Sequence, residues 1–125
     1  MKAELDKFGK IVVENMRDEQ IEYVDMLFAQ KWKAKSLIKI QNKLKKYKQK
    51  DVNIIKELIE NVLTHTMHDI LFALQEYHDN NNEIDIIVDK VSIGDFSDGL
   101  HGEIFGDEGW IAKYSKYKSK EKLKR

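Results

Sequence analysis

The stretch DVNIIKELIENVLTHTMHDILFALQEYHDNNNE, residues 51–83, decides the fold, because neither glycine nor proline interrupts it before the run of asparagines. Its apolar residues recur at helical spacing: Ile55, Ile59, Val62, Leu63, Thr66, Ile70, Ala73, Leu74 and Tyr77 share one broad face. The pattern predicts a helix over 52–77 with Asp51 as N-cap, a central strut about 39 Å long whose apolar face needs cover. His78 to Glu83, with Asn80, Asn81 and Asn82 in succession, favours turn and left-handed conformations and ends it.

Upstream, Leu5, Phe8, Ile11, Val12 and Met16 make one helical stripe, and Ile21, Val24, Leu27, Phe28 and Trp32 make the next. At Arg17-Asp18-Glu19 the chain either restarts, with Asp18 as N-cap, or continues as one bent helix. Ser36 is the expected N-cap of a further helix carrying Leu37, Ile40, Leu44 and Tyr47. Downstream, Ile84–Asp89 is β-branched and partly alternating, and a turn at Asp89-Lys90 would pair it with Val91–Ile93. Residues 94–109 hold five of the six glycines. There Ser97 or Asp98 is expected to cap a short helix running to Phe105, and Asp107 the next one. Trp110, Ile111, Tyr114 and Tyr117 resume helical spacing and would dock the C-terminal part. The fold expected is mainly α (α+β): a single compact helical domain over 1–117 with a long central helix and one short hairpin at about 84–93. A basic tail, 118–125, would be frayed.

The 125 residues suffice for one domain and not two. The absence of cysteine removes disulfides, thiolate metal sites and a cysteine nucleophile, which suits a reducing cytoplasm. No apolar run approaches a membrane span, and MKAELDKFGK lacks a signal-peptide core, so neither insertion nor export is expected. The 22 basic and 22 acidic side chains cancel, yet they are segregated. Residues 1–50 carry a net +6, residues 51–112 a net −12 and residues 113–125 a net +6. Clustered charge steers partners even when the total is nil.

Nine lysines and no acid lie between 31 and 50. A solvated amphipathic face accounts for them, since lysine stems cover apolar surface while their heads stay wet. Phosphate binding, with Trp32 and Tyr47 nearby, is the sharper reading, but the stretch contains no arginine, so nucleic acid is disfavoured as a partner. His65, Asp69, Phe72 and Glu76 stack on one narrow stripe expected to border the buried face, with His68 turned to the open side. A partly desolvated carboxylate there would need a cationic partner. His65, Asp69 and Glu76 are the candidate catalytic groups if the protein is an acid/base or metal-dependent enzyme. His65 and Asp69 with Asp98 and Glu103 of the glycine-rich loop are the corresponding candidates for a divalent metal, the only cofactor considered. Against that reading, the paired ligands of metal helices such as His-Glu-x-x-His are missing, and neither a P-loop nor a nucleophile elbow is present. Boundary histidines and loop-anchoring carboxylates explain the same residues structurally. Arg17, the one internal arginine among 20 lysines, suggests a bidentate carboxylate partner, with Asp69, Glu76, Asp98 and Glu103 as candidates; a chance surface arginine is the alternative.

The strings Phe8-Gly9, Arg17-Asp18, HDILFALQE (68–76), SDGLHGE (97–103) and GWIAKYS (109–115) resemble a small bacterial domain family of uncharacterised function, over nearly the whole chain. That resemblance implies no activity and transfers no catalytic residue. Stand-alone acidic domains of this kind are similar to immunity proteins of bacterial toxin systems. The expected function is therefore a non-enzymatic cytoplasmic protein-binding module, immunity-like, that engages a basic protein partner. Its contact residues are expected to be Asp95, Asp98, His101, Glu103, Asp107 and Glu108. No cofactor is expected, and the oligomeric state cannot be read from the chain.

Overall fold

The computed structural model describes residues 2–81 and 83–118. Helix α1 (Lys2–Val12) passes through a π-helical turn (Val13–Asp18) directly into α2 (Glu19–Phe28). Asp18 is itself helical, at φ −63° and ψ −45°, and caps nothing, so the run is continuous rather than two packed helices. The widened turn rephases the helix. It sends the neighbours Arg17 and Asp18 together into the interior, where they are only 2% and 5% exposed. Val13 takes the buried position that the spacing had assigned to Ile11, which faces solvent.

Helix α3 (Lys35–Leu44) is capped at Ala34 without a side-chain bond, so Ser36 lies inside it and is not its cap. Its one fully buried side chain is Gln41. Gln41 accepts from the Trp32 amide (2.9 Å) and donates to the Trp32 carbonyl (3.0 Å), while Gln30 Nε2 donates to the Gln41 carbonyl (2.8 Å). These bonds clip α3 to the loop after α2.

The central helix α4 (Gln49–Asp79) has 31 residues, about 46 Å of rod, and starts at Lys48 rather than Asp51. It buries the expected face only in part: Ile55, Ile59, Leu63, Ala73 and Leu74 are half-buried, and Leu74 packs against the core. Val52, Met67, Leu71, Gln75 and His78 point inward, while Val62, Thr66, Ile70 and Tyr77 are exposed. Apolar residues occupy more than half of the circumference, so periodicity alone leaves the direction of burial open. Two buried polar residues, Gln75 and His78, mark the inward side because each finds partners there.

A two-stranded antiparallel hairpin follows, β1 (Ile87–Val88) and β2 (Val91–Ser92), with Val88 opposite Val91. Asp89 and Lys90 both have positive φ, 48° and 69°, as a tight type I′ connection requires. Lys7 of α1 holds the turn through Asp89 at 3.0 Å. Two 3₁₀ turns, Ile93–Asp95 and Leu100–Glu103, lead to α5 (Trp110–Tyr114), whose N-cap is Gly109 and not Asp107. The expected helix from Ser97 or Asp98 to Phe105 is thus only the second 3₁₀ turn. Helix α4 packs more extensively against that turn than against any other element.

The core joins Leu5, Val12, Val13, Met67, Leu71, Ile93, Leu100, Ile104, Trp110 and Ile111. Trp110 sits on Gly9, where any side chain would overlap the indole, and meets Phe8 edge-on at 6.1 Å. The expected tail lies outside the described residues beyond Lys118.

Candidate functional site

The acidic loop is carried by two polar side chains from the last turns of α4. Gln75 Nε2 donates to the Gly94 carbonyl (3.2 Å) and to Asp79 Oδ1 (3.0 Å), and Gln75 Oε1 accepts from the Leu100 amide (3.0 Å). One buried amide thereby holds both ends of residues 94–100. His78, buried, contacts Asp95 Oδ1 through Nε2 at 2.9 Å, and its Nδ1 lies 3.5 Å from Asp85 Oδ1. Ser92 Oγ donates to the same Asp85 oxygen at 2.6 Å. At Gly94 a Cβ would run into the His78 ring, so a glycine lets the loop backbone rest on the imidazole.

One turn and more back along α4, Asp69 joins two histidines: Oδ2 lies 3.1 Å from His65 Nε2 and Oδ1 lies 3.0 Å from His68 Nδ1. The two rings are parallel, with centroids 6.4 Å apart. From the loop, His101 meets His68 edge-on at 5.3 Å and Phe72 at 4.8 Å, and Phe105 lies 6.1 Å from His68. The expected stripe therefore exists and the loop does reach it, but its exposure is reversed. His65 and Asp69 are more than half exposed, whereas His68 is the histidine turned inward, at 24%. Asp69, Phe72 and Glu76 stand on an open ridge, so the partial desolvation expected of these carboxylates is not realised. The physical reason is the rotation of α4: once Met67 and Leu71 face the core, residues 65, 69, 72 and 76 lie on its far side.

The loop acids divide into two groups. Asp95 is held by His78 although its side chain is 63% exposed. Asp98, Glu103, Asp107 and Glu108 make no hydrogen bond or ion pair among the described residues, and all but Glu103 are exposed. Among the described residues no group of three or more His, Asp and Glu is arranged to hold a metal ion, so His65, Asp69, Asp98 and Glu103 do not form the expected set. Both Asp69 oxygens are engaged by imidazoles, and His101 is the loop side chain that packs on His68.

Arg17 has none of the expected partners Asp69, Glu76, Asp98 or Glu103. Its Nη1 donates to Ser115 Oγ (2.7 Å) and to the Tyr117 carbonyl (2.7 Å) and lies 3.3 Å from Asp18 Oδ1, while Nε donates to Thr64 Oγ1 (3.1 Å). Asp18 in turn accepts from Ser115 Oγ at 2.7 Å and from the Lys116 amide at 2.8 Å. Burial lowers the Arg17 pKa, with Asp18 and Glu60 opposing that shift. A guanidinium stays charged under such a shift, so Arg17 serves as a latch that ties residues 115–117 to the π-turn.

The sequence reading gave Gln75, His78, Asp85 and Ser115 no role in a site, and Asp18 only that of a candidate N-cap. The signal available for the first two was their phase: Met67, Leu71, Gln75 and His78 follow one another at helical spacing. No helix among the described residues is long and apolar enough to cross a membrane. No family model, curated protein or solved structure matches the chain.

Proposed function

We propose that the chain is a non-enzymatic protein-binding module, immunity-like in character, that works in the cytoplasm and engages a basic protein through the acidic surface around residues 95–108. The observation that carries this reading is the set of carboxylates Asp98, Glu103, Asp107 and Glu108, without hydrogen bond or ion pair among the described residues, on or shortly after the segment 94–100 that Gln75 and His78 hold. A fixed array of uncompensated charge binds without first being ordered, and its field raises association rates. Phe72 and Phe96, both exposed, supply apolar anchors within the same region of the sequence. The charge is not there to stabilise the helix. Glu76 and Asp79 stand at the C-terminus of α4, where the helix dipole disfavours anions.

The test is capture of the partner by the wild-type protein and by a variant with Asp98→Asn, Glu103→Gln, Asp107→Asn and Glu108→Gln, followed by affinity measurement at two ionic strengths. The wild type should retain a basic protein that the variant loses, and affinity should fall as salt rises from 50 to 500 mM, roughly from a 14 Å to a 4 Å screening length. Equal capture by both proteins, or an affinity indifferent to salt, overturns the proposal.

The second reading, an acid/base enzyme, draws on the Asp69 bridge between His65 and His68. Against it, the side chains of His65 and Asp69 are both more than half exposed, which leaves a substrate there open to water.

A further inference from the structure

Away from the loop, α2, α4 and the segment held by Arg17 enclose a cavity of about 150 Å³ lined by Ile21, Val24, Asp25, Lys56, Ile59, Glu60 and Tyr117. Its polar groups are unequal. Lys56 Nζ lies 3.0 Å from Asp25 Oδ1 and over the Phe28 ring at 5.6 Å, so these two charges already satisfy one another. Glu60, half-buried, makes no hydrogen bond or ion pair among the described residues. Burial raises its pKa; Arg17 and Lys56 pull the other way, and Asp25 and Glu57 add to the rise. Arg17 is taken up by Asp18, Ser115 and the Tyr117 carbonyl, so it leaves Glu60 without a direct cation. Tyr117 is also raised, by burial first and then by Glu22, Asp25 and Asp18, so its phenol stays protonated as a donor.

We propose that this cavity binds a monocation on a short apolar stem, an alkylammonium or alkylguanidinium group such as a lysine or arginine side chain presents. Ile21, Val24 and Ile59 cover the stem, and Glu60 receives the charged head beside the Tyr117 hydroxyl. A half-buried carboxylate with no hydrogen bond or ion pair among the described residues, lining a cavity beside Ile21, Val24 and Ile59, is an arrangement that a ligand cation completes. The cavity wall is also built rather than incidental. Tyr117 is placed by the buried Arg17 latch, and Arg17 lies in the π-turn, a rare device that recurs at functional sites. This site is independent of the acidic-loop reading and can stand or fall without it.

The experiment titrates the full chain, with its isoleucine and valine methyl groups followed by NMR, against n-butylammonium, a blocked Gly-Lys-Gly peptide and neutral 1-pentanol as control. The expected result is saturable shifts confined to Ile21, Val24 and Ile59 with one or both cations. The affinity should be at least fivefold weaker in Glu60→Gln and weakened by a smaller factor in Tyr117→Phe, with the rest of both spectra unchanged. Binding of n-butylammonium identifies a free amine as sufficient; binding of the peptide alone identifies a side chain presented by a partner. Pentanol binding as tightly as the cations, an unchanged affinity in Glu60→Gln, or no saturable shift with any probe overturns the proposal.

Discussion

At its C-terminal end α4 buries Met67, Leu71, Gln75 and His78 against the 3₁₀ turns and the hairpin; through its first half it fully buries Val52 alone and leaves Ile54 and Leu58 in solvent. The elements beside the two ends differ likewise. The acidic loop is bonded at Gly94, Asp95 and Leu100, whereas lysine-rich α3 is attached chiefly through Gln41 and its contacts with α2. The molecule thus displays negative charge on a well-anchored support and positive charge on a lightly anchored one. Charge segregation is visible in both halves of the sequence, but among the described residues the acidic loop is the part bonded to α4, at Gly94, Asp95 and Leu100. That asymmetry is why the acidic end is the better candidate for recognition.

The largest test of this comparison is Arg17→Met, which breaks the latch and leaves the Asp18 carboxylate buried without its cation. Stability should fall by about 3–5 kcal/mol in chemical denaturation, since breaking one partner of a buried pair strands the other. A loss below about 1 kcal/mol would mean that residues 115–117 contribute little to the fold.

Next in size is Gln41→Ala. The side chain satisfies the Trp32 amide and carbonyl, and removing it should cost about 1–3 kcal/mol. The loss should be local: amide exchange quickens across α3 while Gly94–Glu103 keeps its protection. Equal deprotection at both ends would show that the two supports are one cooperative unit and would dissolve the contrast.

The smallest effect belongs to Glu60. Its folded-state pKa is raised by burial, so between the unfolded and folded values the native state holds more protons. Its contribution is therefore fully present below the unfolded carboxyl pKa and is lost as pH rises through the folded one. Glu60→Gln should match the wild type in acid and exceed it by up to about 0.5 kcal/mol at neutral pH. A variant that is less stable at neutral pH would mean that Arg17 and Lys56 outweigh burial.

The long helix and the Asp89-Lys90 turn were legible because each depends on neighbours within a few residues in the chain; Trp110 and Ile111 were legible as docking residues from their apolar spacing, while the surface that receives them, Gly9 and Phe8, lies far away in the chain. The His65–Asp69 contact was legible for the same reason, being one helical turn. Which side of α4 is buried was not, and the error passed directly to the site: His65 and Asp69 became a ridge, and His68 moved inward. Arg17 was recognised as an arginine needing a carboxylate, yet its partner proved to be the adjacent residue. Both side chains are buried because residues 115–117, distant in the chain, bond to each of them.

Local periodicity and turn chemistry settle element identity, because helix and hairpin formation draw on interactions between residues close in the chain. Charge segregation follows from the order of residues alone. Packing decides the rest: which face of an almost uniformly apolar helix turns inward, and which polar residues are buried with it. Those choices depend on hydrogen bonds between positions 75 and 100, 78 and 95, or 17 and 115. Such partners are distant in the chain and meet only once the desolvation of each is offset by the other.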